Sequence, residues 1–172
     1  AAGANAFLSK PIFESMLYNV LLSATGIDKT VRFQLSQMEI KHPELEGRCI
    51  LLAEDNLLNQ EIAVELLRMS GIEVECACNG KEAVDKFLME PLKYDAILMD
   101  VQMPLMNGYQ ATELIRRAEC PRSATIPIIA MTADAFHEDM VKAAASGMNA
   151  HMAKPIDPEQ LYHLLKEKIL KE

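Results

Sequence analysis

From Gly47 onward, short apolar runs alternate with amphipathic segments, and four of the runs stop at a polar or charged residue. Cys49-Ile50-Leu51-Leu52-Ala53 ends at Glu54-Asp55, Tyr94 to Met99 ends at Asp100, Ile126 to Met131 ends at Thr132, and Ala150 to Ala153 ends at Lys154-Pro155. Runs this short with no polar face suit strands buried on both sides, as in parallel sheets. Glu73 to Cys78 alternates instead, with Val74, Cys76 and Cys78 opposite Glu73 and Glu75, which predicts a strand with one wetter face near a sheet edge. Cys49, Cys76 and Cys78 read as reduced, buried strand residues. The intervening segments read as helices. The first runs from Asn56 to Met69, with Gly71 just beyond it as a C′ residue. The second runs from Lys81 to Met89 and is stopped by Pro91. The third leaves the loop holding Pro104 and Gly108 and ends near Ala118. The fourth spans Ala135 to Ala145, before Gly147. The last is capped by Asp157, has Pro158 in its first turn, and ends near Leu170. Five strands alternating with five helices predict an α/β fold, a doubly wound five-stranded parallel sheet with right-handed crossovers.

Composition removes several function classes. The net charge of −8 disfavours a nucleic-acid groove, which needs a basic stripe to neutralise phosphates. Absence of Trp and a 5% aromatic content disfavour a base- or sugar-stacking platform. No apolar run approaches the ~18–20 residues of a membrane span, so no direct membrane contact is expected. Asn56-Leu57-Leu58-Asn59 stands where a glycine-rich loop would follow the first strand, which argues against a dinucleotide or nucleoside triphosphate site.

Open α/β sheets carry their crevice beyond the carboxyl ends of the strands. Here those ends bring three carboxylates, a hydroxyl and an amine to one rim: Glu54, Asp55, Asp100, Thr132 and Lys154. Oxygen ligands with open positions suit Mg2+. A carboxylate beside such an ion is a candidate nucleophile of aspartyl-phosphate chemistry, and the hydroxyl and ammonium suit phosphoryl oxygens.

Asp-Val-Gln-Met-Pro-Leu-Met-Asn-Gly at 100–108 resembles the phosphorylation-site loop of response-regulator receiver domains. Glu54-Asp55-Asn56 with Asn59-Gln60 resembles the receiver acid pair as found in hybrid histidine kinases. Met131-Thr132-Ala133 and Lys154-Pro155-Ile156 resemble the two remaining receiver signatures. The resemblance covers Gly47 to about Glu172 and implies the flavodoxin-like (βα)5 fold. It implies that Asp100 accepts a phosphoryl group from phosphohistidine. It implies Mg2+ (or Mn2+) held by Glu54, Asp55, Asp100 and the backbone carbonyl of Gln102, with Asp55 the direct ligand and Glu54 acting through water. Thr132 and Lys154 would bind phosphoryl oxygens, and the Lys154-Pro155 bond would be cis. His151 stands where the family has an aromatic switch residue, with a histidine's pH sensitivity added. The resemblance makes Gln102 and Asp134, each two residues past a site residue, candidates for tuning phosphoryl lifetime. Met103 and Met106 flank Pro104 and are expected to cover the site or meet a partner.

The first twelve residues, Ala1 to Ile12, align with Ala145 to Ile156, and the match extends through Leu17-Tyr18 against Leu161-Tyr162. Residues 1–24 therefore resemble the last strand and helix of a preceding receiver, residues 25–46 read as a linker, and residues 47–172 as a complete receiver. The chain is expected to be part of a longer multidomain protein, with homodimerisation through residues 1–46 as one outcome for the apolar stripe of helix 11–24. His42 lies in the linker without the glutamate that follows a kinase phosphoacceptor histidine; His137 and His163 read as solvated.

The resemblance implies the receiver of a hybrid sensor histidine kinase, a phosphoacceptor that promotes its own phosphorylation and dephosphorylation. Its partners would be a histidine kinase core and a histidine phosphotransfer domain, its location cytoplasmic, with a parent protein anchored in the inner membrane. Two alternatives stand beside it. A pseudo-receiver serving only as an interaction module does not need the complete acid, hydroxyl and lysine set. A Mg2+-dependent phosphohydrolase would need an acid/base aspartate two residues after the nucleophile, where Gln102 stands.

Overall fold

The computed structural model describes residues 42–133 and 137–170. The predicted remnant over residues 1–24, most of the predicted linker, and Asp134 lie outside the described residues. Five strands, β1 (Cys49–Ala53), β2 (Glu73–Ala77), β3 (Ala96–Asp100), β4 (Ile128–Thr132) and β5 (Ala150–Ala153), alternate with five helices. These are α1 (Leu57–Met69), α2 (Gly80–Met89), α3 (Gly108–Arg117), α4 (His137–Ser146) and α5 (Pro158–Ile169). The strand order is β2-β1-β3-β4-β5, with every pairing parallel. The predicted doubly wound fold is the one observed, and β2 is an edge strand as its alternation required.

Alternate strand residues feed two apolar layers. Leu51, Ala53, Ile97, Met99, Ile128 and Ala130 pack with Ala83, Val84 and Phe87 of α2, Ala111 and Ile115 of α3, and Ala143 of α4. Ile50, Leu52, Leu98 and Ile129 alternate with them along the strands and are equally buried, as are Ala63, Leu66 and Leu67 of α1 and Leu161, Tyr162 and Leu165 of α5. Each large side chain so buried contributes roughly 1.5–3 kcal/mol.

The strand ends differ from the sequence expectation by one or two residues, for local reasons. Pro127 has no N–H to give a ladder, and β4 begins after it. Asp95 turns its carboxylate to the Cys49 N–H (2.8 Å) and to Arg48 Nη1 (3.0 Å), and β3 starts beyond it. The Cys78 N–H donates to Glu82 Oε2 (2.8 Å) rather than continuing the sheet, so β2 stops at Ala77. Cys78 is therefore exposed and Cys76 half-buried, a correction to the expectation that both are buried; Cys49 is buried. His163 is exposed as expected.

The helix punctuation follows the predicted chemistry. Asn56, Asn79, Asn107 and Asp157 each accept backbone N–H bonds as N-caps, and Asn107 with Gln110 closes a full capping box. Gly71 is left-handed at φ 71° after α1. Residues 42–46 pack onto the domain: Leu45 in the turn Pro43–Leu45 is fully buried, Glu44 pairs with Lys166 at 2.8 Å, and the His42 ring lies 4.3 Å from that of Tyr162. Among the described residues, no helix is long and apolar enough to cross a membrane.

Candidate functional site

Parallel strands end in register, so the residues that terminate β1, β3, β4 and β5 meet at one rim. Glu54, Asp55 and Asp100 each offer a carboxylate oxygen, and these atoms lie within 4.8 Å of one another. Glu54 and Asp100 are buried, Asp55 is exposed. Lys154 follows β5, and its N–H donates to the Thr132 carbonyl (2.8 Å), which brings the ends of β4 and β5 together. Its Nζ lies 2.6 Å from Asp100 Oδ2, as a hydrogen bond, and 2.6 Å from Glu54 Oε2, as a contact of charges. Thr132 is buried at the end of β4. The Lys154-Pro155 peptide is cis, as expected.

Glu54 is fixed by the start of α1. Its Oε1 accepts from the Asn56 N–H (3.3 Å) and from Asn59 Nδ2 (3.1 Å), while Gln60 Nε2 donates to its carbonyl (3.3 Å). Glu54 Oε2 is buried and accepts no hydrogen bond. The sequence singles out Asn59 and Gln60 beside the acid pair but not what they do, which is to hydrogen-bond Glu54. The available signal is their place in the first turn of the helix that follows the acid pair.

Asp100 accepts from the Gln102 N–H at Oδ1 (3.0 Å) and from Lys154 at Oδ2. Burial pushes its carboxyl up to about 6; the Lys154 ammonium opposes this and the Glu54 charge adds to it. The loop after Asp100 folds back tightly, with the Gly108 N–H bonded to the Val101 carbonyl (3.0 Å). A Cβ on Gly108 would lie 2.2 Å from the Asp100 carbonyl oxygen. Met103 is buried in the core, and Met106 half-buried against it. The large aliphatic side chain of the loop that faces solvent is Leu105, 88% exposed at φ 66°, which the sequence reading passed over. His151 is half-buried on β5 beside Ala130, and Gln102 is exposed.

The donor set fits a hard divalent cation. It is all oxygen, its three carboxylate oxygens lie within 4.8 Å of one another, and one of them, the buried Glu54 Oε2, meets the Lys154 ammonium but accepts no hydrogen bond. The buried carboxylates also repel each other, and an added cation offsets that repulsion.

A flavodoxin-like sheet with an acid cluster, a hydroxyl and a lysine at its carboxyl rim defines a receiver-type phosphosignalling module. The family model described as "Response regulator receiver domain" matches residues 50–166, and the chain belongs to that family. It is 37% identical over 169 residues to hybrid signal transduction histidine kinase I of Dictyostelium discoideum, covering 96% of this chain and 9% of that protein. It is 41% identical over 129 residues to probable histidine kinase 2 of Oryza sativa subsp. indica, covering 68% and 12%. The chain thus spans under a fifth of the length of these relatives. Among solved structures, it resembles the receiver domain of sensor histidine kinase PA1611 from Pseudomonas aeruginosa PAO1, which has a magnesium ion in its active site cleft. Identity there is 39% and the TM-score 0.66, with 73% of this chain and 99% of that one covered. It also resembles the Ssk1 receiver domain crystallised with the Saccharomyces cerevisiae phosphotransfer protein Ypd1, at 29% identity and TM-score 0.64, covering 73% and 91%.

Proposed function

We propose that this chain is a phosphorelay receiver of a hybrid sensor histidine kinase, with Asp100 as phosphoacceptor. An Asp100 carboxylate oxygen forms a bond to phosphorus, the bond from phosphorus to the donor histidine nitrogen breaks, and the electron pair leaves with the imidazole. The observation that carries this reading is the buried Asp100 carboxylate, 2.6 Å from the Lys154 ammonium and clustered with Glu54 and Asp55. Burial keeps bulk water from the acceptor, and Lys154 supplies a fixed positive charge where phosphoryl charge arrives. Thr132 and Lys154 hold phosphoryl oxygens. Glu54, Asp55, Asp100 and the Gln102 carbonyl would hold Mg2+ or Mn2+, which when bound neutralises the equatorial oxygens. Gln102 and Asp134 tune the lifetime of the acyl phosphate, and His151 answers the movement of Thr132.

The magnesium-bound neighbour and the receiver paired with a phosphotransfer protein support a Mg2+ requirement and a histidine phosphotransfer partner. The repeat of 1–12 against 145–156 supports residues 1–24 as the end of a preceding receiver-like domain, and the kinase relatives support a parent that contains a kinase core. Gln102 offers no acid/base group at the position a phosphohydrolase needs, and the intact acid, hydroxyl and lysine set sets the chain apart from a pseudo-receiver. Incubation with Mg2+ and a small phosphodonor, followed by intact mass measurement, tests the reading. Wild type should gain one phosphoryl group and Asp100→Asn none. No gain in wild type would favour the interaction module, and turnover of unrelated phosphoesters the hydrolase.

A further inference from the structure

We propose that the opposite pole of the sheet, at the amino ends of β1, β3 and β4, binds a compact polyanion of the diphosphate class. A polar cavity of about 560 Å³ opens there, lined by Arg48, Asp95, Arg122, Thr125 and Lys168. Three cations against one carboxylate stand out in a chain of net charge −8. The carboxylate is already engaged: Asp95 accepts from Arg48 at 3.0 Å and from the Cys49 N–H at 2.8 Å. Lys168 shares its charge with Glu167 at 3.1 Å.

Arg122 is the unusual member. Two of its guanidinium nitrogens donate to main-chain carbonyls, Nη1 to Tyr94 at 2.6 Å and Nη2 to Asp95 at 3.4 Å. Among the described residues, no carboxylate pairs with it. It sits at φ 64°, a backbone region that a side chain of this size enters at a cost. The loop thus holds a permanent positive charge at the mouth of a polar cavity, anchored by neutral acceptors that leave its charge uncompensated. A guanidinium carries five donors in a rigid fork that matches phosphate geometry. Lys168 adds a point charge, and Thr125 a neutral donor. Pro127 and Ile169 are the apolar residues of the lining and no aromatic ring is among them, so the recognised chemistry is the charge cluster itself.

Two sources could supply that chemistry, free pyrophosphate or the diphosphate of a nucleotide. The test is a titration of the full chain, with EDTA present and low salt, with pyrophosphate, ADP and AMP, followed by amide shifts and calorimetry. Saturable pyrophosphate binding is expected, with shifts at residues 48, 95, 122–127 and 166–169. ADP binding more tightly than pyrophosphate identifies a nucleotide source, and equal binding the diphosphate alone. AMP should bind at least tenfold more weakly than either. Arg122→Gln and Lys168→Gln should each weaken pyrophosphate binding, Arg122→Gln by about tenfold or more. Asp95→Asn, in a chain whose spectrum stays folded, should tighten it. Asp100→Asn should leave it unchanged. The proposal is overturned by no saturation at about 10 mM pyrophosphate, by unchanged affinity in Arg122→Gln and Lys168→Gln, or by shifts confined to residues around Asp100.

Discussion

Lys154 Nζ stands 2.6 Å from Asp100 Oδ2 and equally close to Glu54 Oε2, so one half-buried ammonium serves two buried carboxylates. Removing one partner of a buried ion pair costs more than the pair contributes, because the remaining charge is left unpaired in a poor solvent. Lys154→Met should therefore destabilise the metal-free domain by about 3 kcal/mol at pH 7. The loss should shrink at pH 5, where Asp100 can take up a proton. Urea denaturation of both proteins at the two pH values checks this; an equal loss at both would mean that Lys154 acts through packing alone.

The raised Asp100 carboxyl fixes a pH dependence. Its folded pKa of about 6 lies above the ordinary 3.8, so the native state binds more protons than the unfolded chain between those values. The stabilising contribution of the protonated acid is complete below pH 4 and is lost as the pH rises through 6. A shift of this size corresponds to roughly 3 kcal/mol. Asp100→Asn, which cannot ionise, should make the metal-free domain roughly 2–3 kcal/mol more stable than wild type at pH 7. The two should converge near pH 4. Thermal melts in EDTA across this range measure the gap, and a gap independent of pH would contradict the cause assigned to it.

Asp55 is exposed while Glu54 is locked by Asn56, Asn59 and Lys154, so the two acids should contribute differently to metal binding. On the proposed ligand set, Asp55→Asn removes an accessible carboxylate and should weaken Mg2+ or Mn2+ binding by about tenfold or more. Asn59→Ala only frees Glu54, and should weaken it within the roughly 10–100-fold range seen for groups that orient a ligand. Calorimetric titration with each metal ranks the variants. Full affinity in Asp55→Asn would remove it from the ligand set.

The fold was legible because a parallel sheet writes itself as short apolar runs with polar stops, and the rim residues were legible because they are those stops. Glu54, Asp55 and Asp100 stand together and Lys154 reaches two of them: strand register brings the strand ends to one rim, and the first turn of α1 sets Glu54. What escaped depends on side chains leaving their own segment. The Asp95 carboxylate caps β1 from the start of β3, and Glu82 takes the Cys78 N–H and ends β2 early. The His42 ring packs at a 45° tilt against Tyr162, 120 positions away by their numbers, and no local pattern announces it. Met103, expected to cover the site or meet a partner, is buried in the core instead, while the loop turns through a positive φ at Leu105 and leaves that side chain in solvent.

His151 lies on β5 three residues before Lys154, half-buried and outside the acid cluster. His151→Ala should leave phosphoryl acceptance by Asp100 intact while weakening whatever response depends on the movement of Thr132. Intact mass after phosphodonor treatment reads the first, and amide shifts of β4 and β5 between the free and phosphorylated forms read the second. Loss of acceptance in the variant would place His151 in the transfer chemistry itself.

Gly108 is where the acceptor loop closes against its own strand. Its N–H bonds the Val101 carbonyl, and a Cβ there would stand 2.2 Å from the Asp100 carbonyl oxygen and 3.0 Å from the Met99 side chain. The nearest obstacle is backbone, which cannot rotate aside as a side chain can. Gly108→Ala should therefore displace either α3 or the end of β3, at a cost of about 1–3 kcal/mol as for other overpacked sites. Because Asp100 ends β3, the same displacement should move its carboxylate relative to Lys154 and slow phosphoryl acceptance. Gly80→Ala provides the comparison: its Cβ meets the Met106 carbonyl at 2.5 Å, away from the Asp100 backbone. Both variants should lose stability in denaturation, and Gly108→Ala alone should lose acceptor rate out of proportion to that loss. Equal rates in the two would show that the close approach at Gly108 serves packing and not the placement of Asp100.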